Sequence, residues 1–328
     1  MNIKKKVDTI TKIIFIGTAE FGVPVLETLV NNKKNVLQVV TQPDRPSGRG
    51  KKILPPPIKK AAIDREVTIF QPENINEISF VKKLEALKPD IILVVAYGQI
   101  LSEKILNIPK VGCINIHGSL LPEYRGAAPI NWAIINGEKE TGITFICMNS
   151  KVDDGDIIAR FKVDILPNET FGELSERLSN LSAKTITKVL NDFRNKKLYQ
   201  IPQNRKIATY TRKMNKKDGE INWEEKSKKI YNLIRGTIPT PGAYTYYRGR
   251  KIKITQSRWT SGDENHDLSN SAIPSGSIVA IEKDGLIVST GDMGLIKIIK
   301  LIPAGAKEMS AGQFVNGYKI KIENTFGE

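Results

Sequence analysis

Five short apolar runs occupy the first part of the chain: KIIFIG (12–17), VLQVVTQ (36–42), VTIFQP (67–72), DIILVVAYG (90–98) and CINIH (113–117). Between them lie stretches with helical spacing, such as GVPVLETLVNN (22–32) and ISFVKKLEALK (78–88). A strand that is apolar on both faces must be covered on both sides. Helices inserted between consecutive strands supply that cover and make the strands run parallel. The expected fold is therefore α/β, a doubly wound, mostly parallel (Rossmann-like) sheet. GITFICM (142–148) adds a strand beyond a helix near 128–137, and an amphipathic helix from about Phe171 to Lys196 closes this part.

The rhythm then changes. KKLYQIPQNRKIATYTRKMNKKDG (196–219) has many cations and little apolar periodicity, which reads as a linker. After a helix near 224–236 come AYTYY, KIKIT, GSIVAI, GLIVST and GLIKIIKL, separated by the turn signals RG, DG and GDMG. Short strands with tight turns predict a small antiparallel β-barrel, with SGDENHDLSNSAIPSG (261–276) as a polar loop within it. The expected division is 1–196 (with 1–11 as an extension), a basic linker over 197–217, and a barrel over 218–328.

The formal charge of +15 is unevenly spread. Residues 45–60 carry six Lys/Arg and no acid, and residues 200–258 carry fifteen against four acids, whereas 259–328 carry six against nine. Concentration in two segments favours a polyanionic partner, nucleic acid above all. Cys113 and Cys147 are the only two cysteines, too few for a disulfide framework and without zinc-ligand spacing, which suits a reducing cytosol. No apolar run reaches the roughly 18 residues of a membrane span. The start, MNIKKKVDTITK, lacks the apolar core of an export signal.

Three motifs are candidates for chemistry. GTAEFG (17–22) lacks the GxGxxG spacing of a dinucleotide loop, and is expected only to permit a tight strand-to-helix turn. In GCINIHGSLLPEYRGAAP (112–129), strand periodicity puts Asn115 and His117 on one face, at the carboxyl end where ligands of such sheets sit. An amide can donate to a developing oxyanion, and an imidazole can act as an acid or a charged donor near neutral pH. KVDDGDII (151–158) supplies three acids, Asp153, Asp154 and Asp156, around Gly155. A carboxylate beside His117 would orient it. With no serine or cysteine nucleophile, such a set suits direct transfer between two bound substrates through a tetrahedral intermediate.

INIHGSLLPEYRGAAPINWAIINGEKETGITF followed by VDDGDII resembles the 10-formyltetrahydrofolate-dependent formyltransferases, which carry an Asn-x-His pair and an Asp in a D-x-G loop. The resemblance implies Asn115, His117 and Asp153 as the catalytic set. It also implies a folate site formed by Ser119, Leu120, Leu121 and Pro122 with Val95, Tyr97, Gly98, Ile100, Asp154 and Gly155. It covers nearly the whole chain, through YTRKMNKKDGEINW (210–223) and LIPAGAKEMSAGQF (301–314), and makes the barrel oligonucleotide-binding-like.

Within this family, TQPDRPSGRGKKILPPPIKKAA (41–62) resembles the basic insertion of members whose acceptor is initiator methionyl-tRNA. Arg49, Lys51 and Lys52, with Lys213 after the linker, are its implied tRNA contacts, on a loop expected to be mobile and packed against little. The expectation is a cytoplasmic (bacterial) monomer that moves a formyl group from 10-formyltetrahydrofolate to methionyl-tRNA for translation initiation, with no metal and no membrane partner. A formyltransferase with a small amine acceptor and a non-catalytic RNA-binding protein are the alternatives. The first would have no use for the basic insertion, and the second none for an intact Asn-His-Asp set.

Overall fold

The computed structural model describes residues 11–47, 52–260 and 273–327. The chain begins with β1 (Lys12–Gly17), α1 (Val23–Asn31) and β2 (Asn35–Val40), followed by the short pair β3 (Arg45–Ser47) and β4 (Lys52–Leu54). Next come α2 (Pro57–Ile63), β5 (Ile69–Phe70), α3 (Ile78–Ala86), β6 (Ile91–Val95), α4 (Glu103–Leu106) and β7 (Gly112–His117). They are followed by β8 (Arg125–Gly126), α5 (Pro129–Ile135), β9 (Glu140–Cys147), β10 (Asp156–Asp164) and α6 (Phe171–Arg194). The last part holds β11 (Tyr210–Thr211), α7 (Ser227–Thr237), β12 (Tyr244–Tyr247), β13 (Arg250–Thr260), β14 (Ile278–Glu282), β15 (Gly285–Ser289), β16 (Leu295–Pro303), β17 (Met309–Ser310) and α8 (Ala311–Tyr318).

The first sheet has the order β10-β9-β7-β6-β1-β2-β5. From β5 through β2, β1 and β6 to β7 every pairing is parallel, and β9 joins β7 antiparallel. The mostly parallel expectation holds. Ile13, Ile14, Phe15 and Ile16 of β1 are fully buried, which requires cover on both faces. At about 2 kcal/mol per buried side chain of this size, such strands anchor the sheet. Because the chain leaves β1 toward β2 and returns on the other side as β6, the strand order reverses there. The carboxyl ends of β1, β6 and β7 therefore border the crevice where such sheets bind ligands. Gly17 ends β1 beside β6: a Cβ there would stand 2.8 Å from both the Val95 carbonyl and the Phe15 ring. The glycine serves close strand packing, a role the turn reading of GTAEFG did not include.

The basic insertion is more ordered than its composition suggests. β3 and β4 pair antiparallel, and α2 starts with Pro57 in its first turn and buries Ile58, Ala61 and Ala62. The expectation of a loop packed against little fails for 57–62. Apolar residues at i, i+3 and i+4 after a helix-starting proline explain why. Arg49 and Lys51 lie outside the described residues, as do 1–10 of the extension and 261–272 of the polar loop.

Two compact units interleave in sequence. The first comprises Met1–Gly126, Gly142–Val163 and Ser175–Tyr210; the second comprises Ala127–Thr141, Asp164–Leu174 and Thr211–Glu328. Within the first, Ile157 and Ile201 exchange backbone bonds of 2.8 and 2.9 Å, and Arg125 N donates to the Thr209 carbonyl at 2.8 Å. The cationic segment after α6 is thereby tied into the first unit as far as Tyr210.

In the second unit β12-β13-β16-β15-β14, with β17 on β16, form an antiparallel barrel-like sheet. Trp223, Ile234, Ile252, Ile254, Leu286 and Phe314 belong to its core. Asn131 Nδ2 donates to the Gly236 carbonyl at 2.8 Å, and Arg235 Nη1 to the Glu169 carbonyl at 3.1 Å. These bonds hold the two early segments to α7.

Candidate active site

β7 delivers Asn115 and His117 to its carboxyl end, two residues apart on one face, with His117 6% exposed. The loop between β9 and β10 brings Asp153 to meet them. Asp153 Oδ2 lies 3.5 Å from His117 Nδ1, and Asn115 Nδ2 lies 3.4 Å from Asp153 Oδ1. Both are long for hydrogen bonds, whereas Gly126 N donates to Oδ2 at 2.8 Å. One carboxylate thus takes a firm backbone bond and stands between an amide and an imidazole. His117 Nε2 is 2.8 Å from the Tyr124 carbonyl, which only accepts, so that nitrogen carries a proton. Both ring nitrogens face oxygen atoms. Asp153 reaches this place at φ +50°, a left-handed conformation that few residues other than glycine and Asn/Asp adopt.

Of the three acids around Gly155, Asp154 is already engaged. Its side chain is 4% exposed, with Arg125 Nη1 at 2.6 Å and Arg205 Nη2 at 2.7 Å. The Arg205 hydrogen bonds hold its carboxyl below the usual range, against the opposing effect of burial and with the Arg125 charge adding to the depression. Arg125 is itself 1% exposed; it donates to Gln203 Oε1 at 2.7 and 3.1 Å and to the Tyr210 hydroxyl at 3.3 Å. Sequence reasoning named none of Arg125, Gln203, Arg205 and Tyr210. Arg125 follows the candidate His by eight positions in the same motif, which was a signal; the other three had none beyond their polarity.

The remaining expected positions differ in burial. Ser119 is buried, its hydroxyl donating to the Glu123 carbonyl at 2.6 Å, and Leu121 and Val95 are fully buried. Gly98 is exposed at φ +91° and Ile100 is 69% exposed, while Leu120 is half-buried and Pro122 buried. Tyr97 is buried, its hydroxyl has no hydrogen-bond partner among the described residues, and burial pushes its ionisation up to about 12. Gly155 is buried against the Cys147 carbonyl, which an added Cβ would overlap. Lys52 and Lys213 are exposed, on β4 and after β11 respectively. Among the described residues no group of three His, Cys, Asp or Glu side chains is placed to share a metal ion. No described helix is long and apolar enough to cross a membrane.

Residues 11–190 match the family model described as formyl transferase, and residues 213–319 match that of the formyl transferase C-terminal domain. The chain is 44% identical over 317 residues to methionyl-tRNA formyltransferase of Alkaliphilus oremlandii, covering 97% of this chain and 100% of that one. It is 40% identical over 320 residues to methionyl-tRNA formyltransferase of Acetivibrio thermocellus, with the same coverage. Among solved structures, HypX of Aquifex aeolicus in complex with tetrahydrofolic acid aligns with a TM-score of 0.63 at 14% identity, over 96% of this chain and 48% of that one. Methionyl-tRNA formyltransferase from Clostridium thermocellum aligns with a TM-score of 0.56 at 19% identity, over 77% of this chain and 95% of that one. At such identities the structures attest the fold alone.

Proposed function

The chain belongs to the formyl transferase family along both of its parts, and from that premise we propose that it formylates the α-amine of methionyl-tRNA with 10-formyltetrahydrofolate as donor. The observation that carries the mechanism is the meeting of Asn115 and His117 at one carboxylate, Asp153, at the carboxyl end of β7.

In the reaction the amine nitrogen attacks the formyl carbon, and the carbonyl π electrons move onto oxygen to give a tetrahedral oxyanion. Asn115 donates an amide hydrogen to that oxyanion, and His117 in its doubly protonated form supplies positive charge beside it. Asp153 keeps His117 oriented and takes part in removing the amine proton, directly or through one water. Collapse breaks the bond between the formyl carbon and N10, and the folate nitrogen leaves with a proton. Little else is asked of the protein, since holding two substrates in line supplies much of the acceleration. Folate contacts fall to the exposed Gly98 and Ile100 and to the segment 119–122, with buried Val95 and Leu121 behind them. The Asp154 carboxylate, paired with two arginines, supports the loop rather than reaching for a ligand. Lys52, Arg49, Lys51 and Lys213 are assigned to the tRNA backbone.

The test is formylation with 10-formyltetrahydrofolate as donor, comparing methionyl-tRNA with free methionine and with an amino sugar. A kcat/KM for methionyl-tRNA at least about 10³-fold above both is expected, well beyond what one mismatched contact supplies. Equal use of a small amine would assign the chain to another acceptor.

A further inference from the structure

Asp153 does its work from a left-handed backbone conformation, φ +50°, which Asp adopts more readily than most residues but which still costs free energy. Several contacts keep the loop in place, and two of them bear on its backbone. On one side Gly155 presses against the carbonyl of Cys147 at the end of β9, at a distance only glycine allows. On the other side a single amide spans the loop. Gln203 Nε2 donates to the Asp153 carbonyl at 2.8 Å and to the Gly155 carbonyl at 2.7 Å. Gln203 is fixed in turn, because its Oε1 accepts from Arg125 Nη2 at 2.7 Å and Nε at 3.1 Å. Arg125 is buried and also paired with Asp154 in the same loop. Its neighbour Gly126 gives the backbone N–H that holds Asp153 Oδ2 at 2.8 Å.

We propose that Gln203, backed by Arg125, is a positioning residue for the reaction: it clamps the 153–155 backbone so that the Asp153 carboxylate stays between Asn115 and His117. Gln203 touches no reacting group. It acts through Asp153, and the inference rests on the catalytic reading of that residue. The chemistry of the side chain fits the task. An amide offers two N–H donors to the two carbonyls and one acceptor to the guanidinium, so neither Glu, which cannot donate, nor Leu, which does neither, replaces it. Misplacing a catalytic group by a fraction of an ångström to one ångström costs on the order of ten- to a hundredfold in rate.

The experiment is a double-mutant cycle on the full chain, measured as single-turnover formylation of methionyl-tRNA. Gln203→Glu keeps the acceptor for Arg125 and removes both donors, and Gln203→Leu guards against an effect of the added charge. Each should lower the rate about tenfold or more in the wild-type background, with affinity for both substrates within about twofold. In an Asp153→Asn background each should lower it less than about twofold, because the group it positions is already gone. A tenfold loss in both backgrounds, or no loss in the first, overturns the clamp. If Asp153→Asn alone keeps near-normal turnover, it is the catalytic reading of Asp153 that fails. Should one Gln203 variant not fold, as judged by its thermal transition, the other carries the cycle.

Discussion

Two arginines share the Asp154 carboxylate, and burial predicts very different consequences for losing the carboxylate, which ends both pairs, and for losing the exposed arginine alone. Asp154 and Arg125 are 4% and 1% exposed and stand 2.6 Å apart, whereas Arg205 on the other oxygen is 67% exposed. Removing one partner of a buried pair costs about 3–5 kcal/mol, chiefly because it strands the other charge. Arg125 keeps its bonds to Gln203 and Tyr210, so Asp154→Asn should fall near the low end, about 3 kcal/mol. For a unit of this size, where each kcal/mol moves Tm by about 2–4 °C, that lowers Tm by roughly 6–12 °C. Arg205→Ala removes only the exposed arginine, whose pairing solvent screens, and should shift Tm by less than about 4 °C. The gap also depends on pH. Because the folded-state pKa of Asp154 is depressed, its stabilisation is fully present above the unfolded value near 4 and is lost as pH falls through the lower folded value. The wild-type advantage over Asp154→Asn should therefore be complete at pH 7 and shrink below about pH 4. The assay is a thermal melt of the three proteins at pH 7 and at a series of acid values. Equal losses for the two substitutions, or an Asp154→Asn loss below about 1 kcal/mol, would refute burial as the factor that separates the two pairs.

Other perturbations separate binding from structure. Arg49→Leu, or Lys52→Ala on exposed β4, should lower kcat/KM for methionyl-tRNA about tenfold and leave folate affinity within about twofold; steady-state kinetics with both substrates varied gives the answer. Arg248→Ala, exposed in the turn between β12 and β13, and Arg250→Ala, exposed at the start of β13, should each reduce the log–log salt slope of tRNA binding by about 0.7–0.9 if each meets one phosphate. An unchanged slope removes that hairpin from the interface. Tyr97→Phe deletes a buried hydroxyl that has no partner among the described residues, so chemical denaturation should find stability unchanged or raised by about 1 kcal/mol; a loss beyond that would reveal a bond the hydroxyl makes.

The frame of the fold was legible because its signals are local. KIIFIG and DIILVVAYG are apolar on both faces, and the structure makes them adjacent central strands of a parallel sheet. The candidate chemistry was legible for the same reason: a period of two residues puts Asn115 and His117 together, and the acids of 153–156 follow the next strand. The support for that site was not. Gln203 and Arg205 come from a cationic stretch whose pattern matches a solvated linker, and their partners lie 48–78 positions away. Long-range polar pairing leaves no periodicity to read. The α2 helix inside the basic insertion is an intermediate case. Pro57, Ile58, Ala61 and Ala62 do spell a helix start and an apolar face, but the surrounding lysines and prolines masked it.

Central to the mechanism is whether the Asp153 carboxylate serves catalysis rather than only its Gly126 and Asn115 neighbours. The most direct measurement is single-turnover formyl transfer to methionyl-tRNA by the wild-type chain and by Asp153→Asn, at saturating concentrations of both substrates, with each affinity measured separately. A fall of about 10²-fold or more in the transfer rate is predicted, the scale for losing charge stabilisation at a reacting centre, with both affinities and the melting transition little changed. Near-normal transfer by a folded Asp153→Asn protein would contradict it.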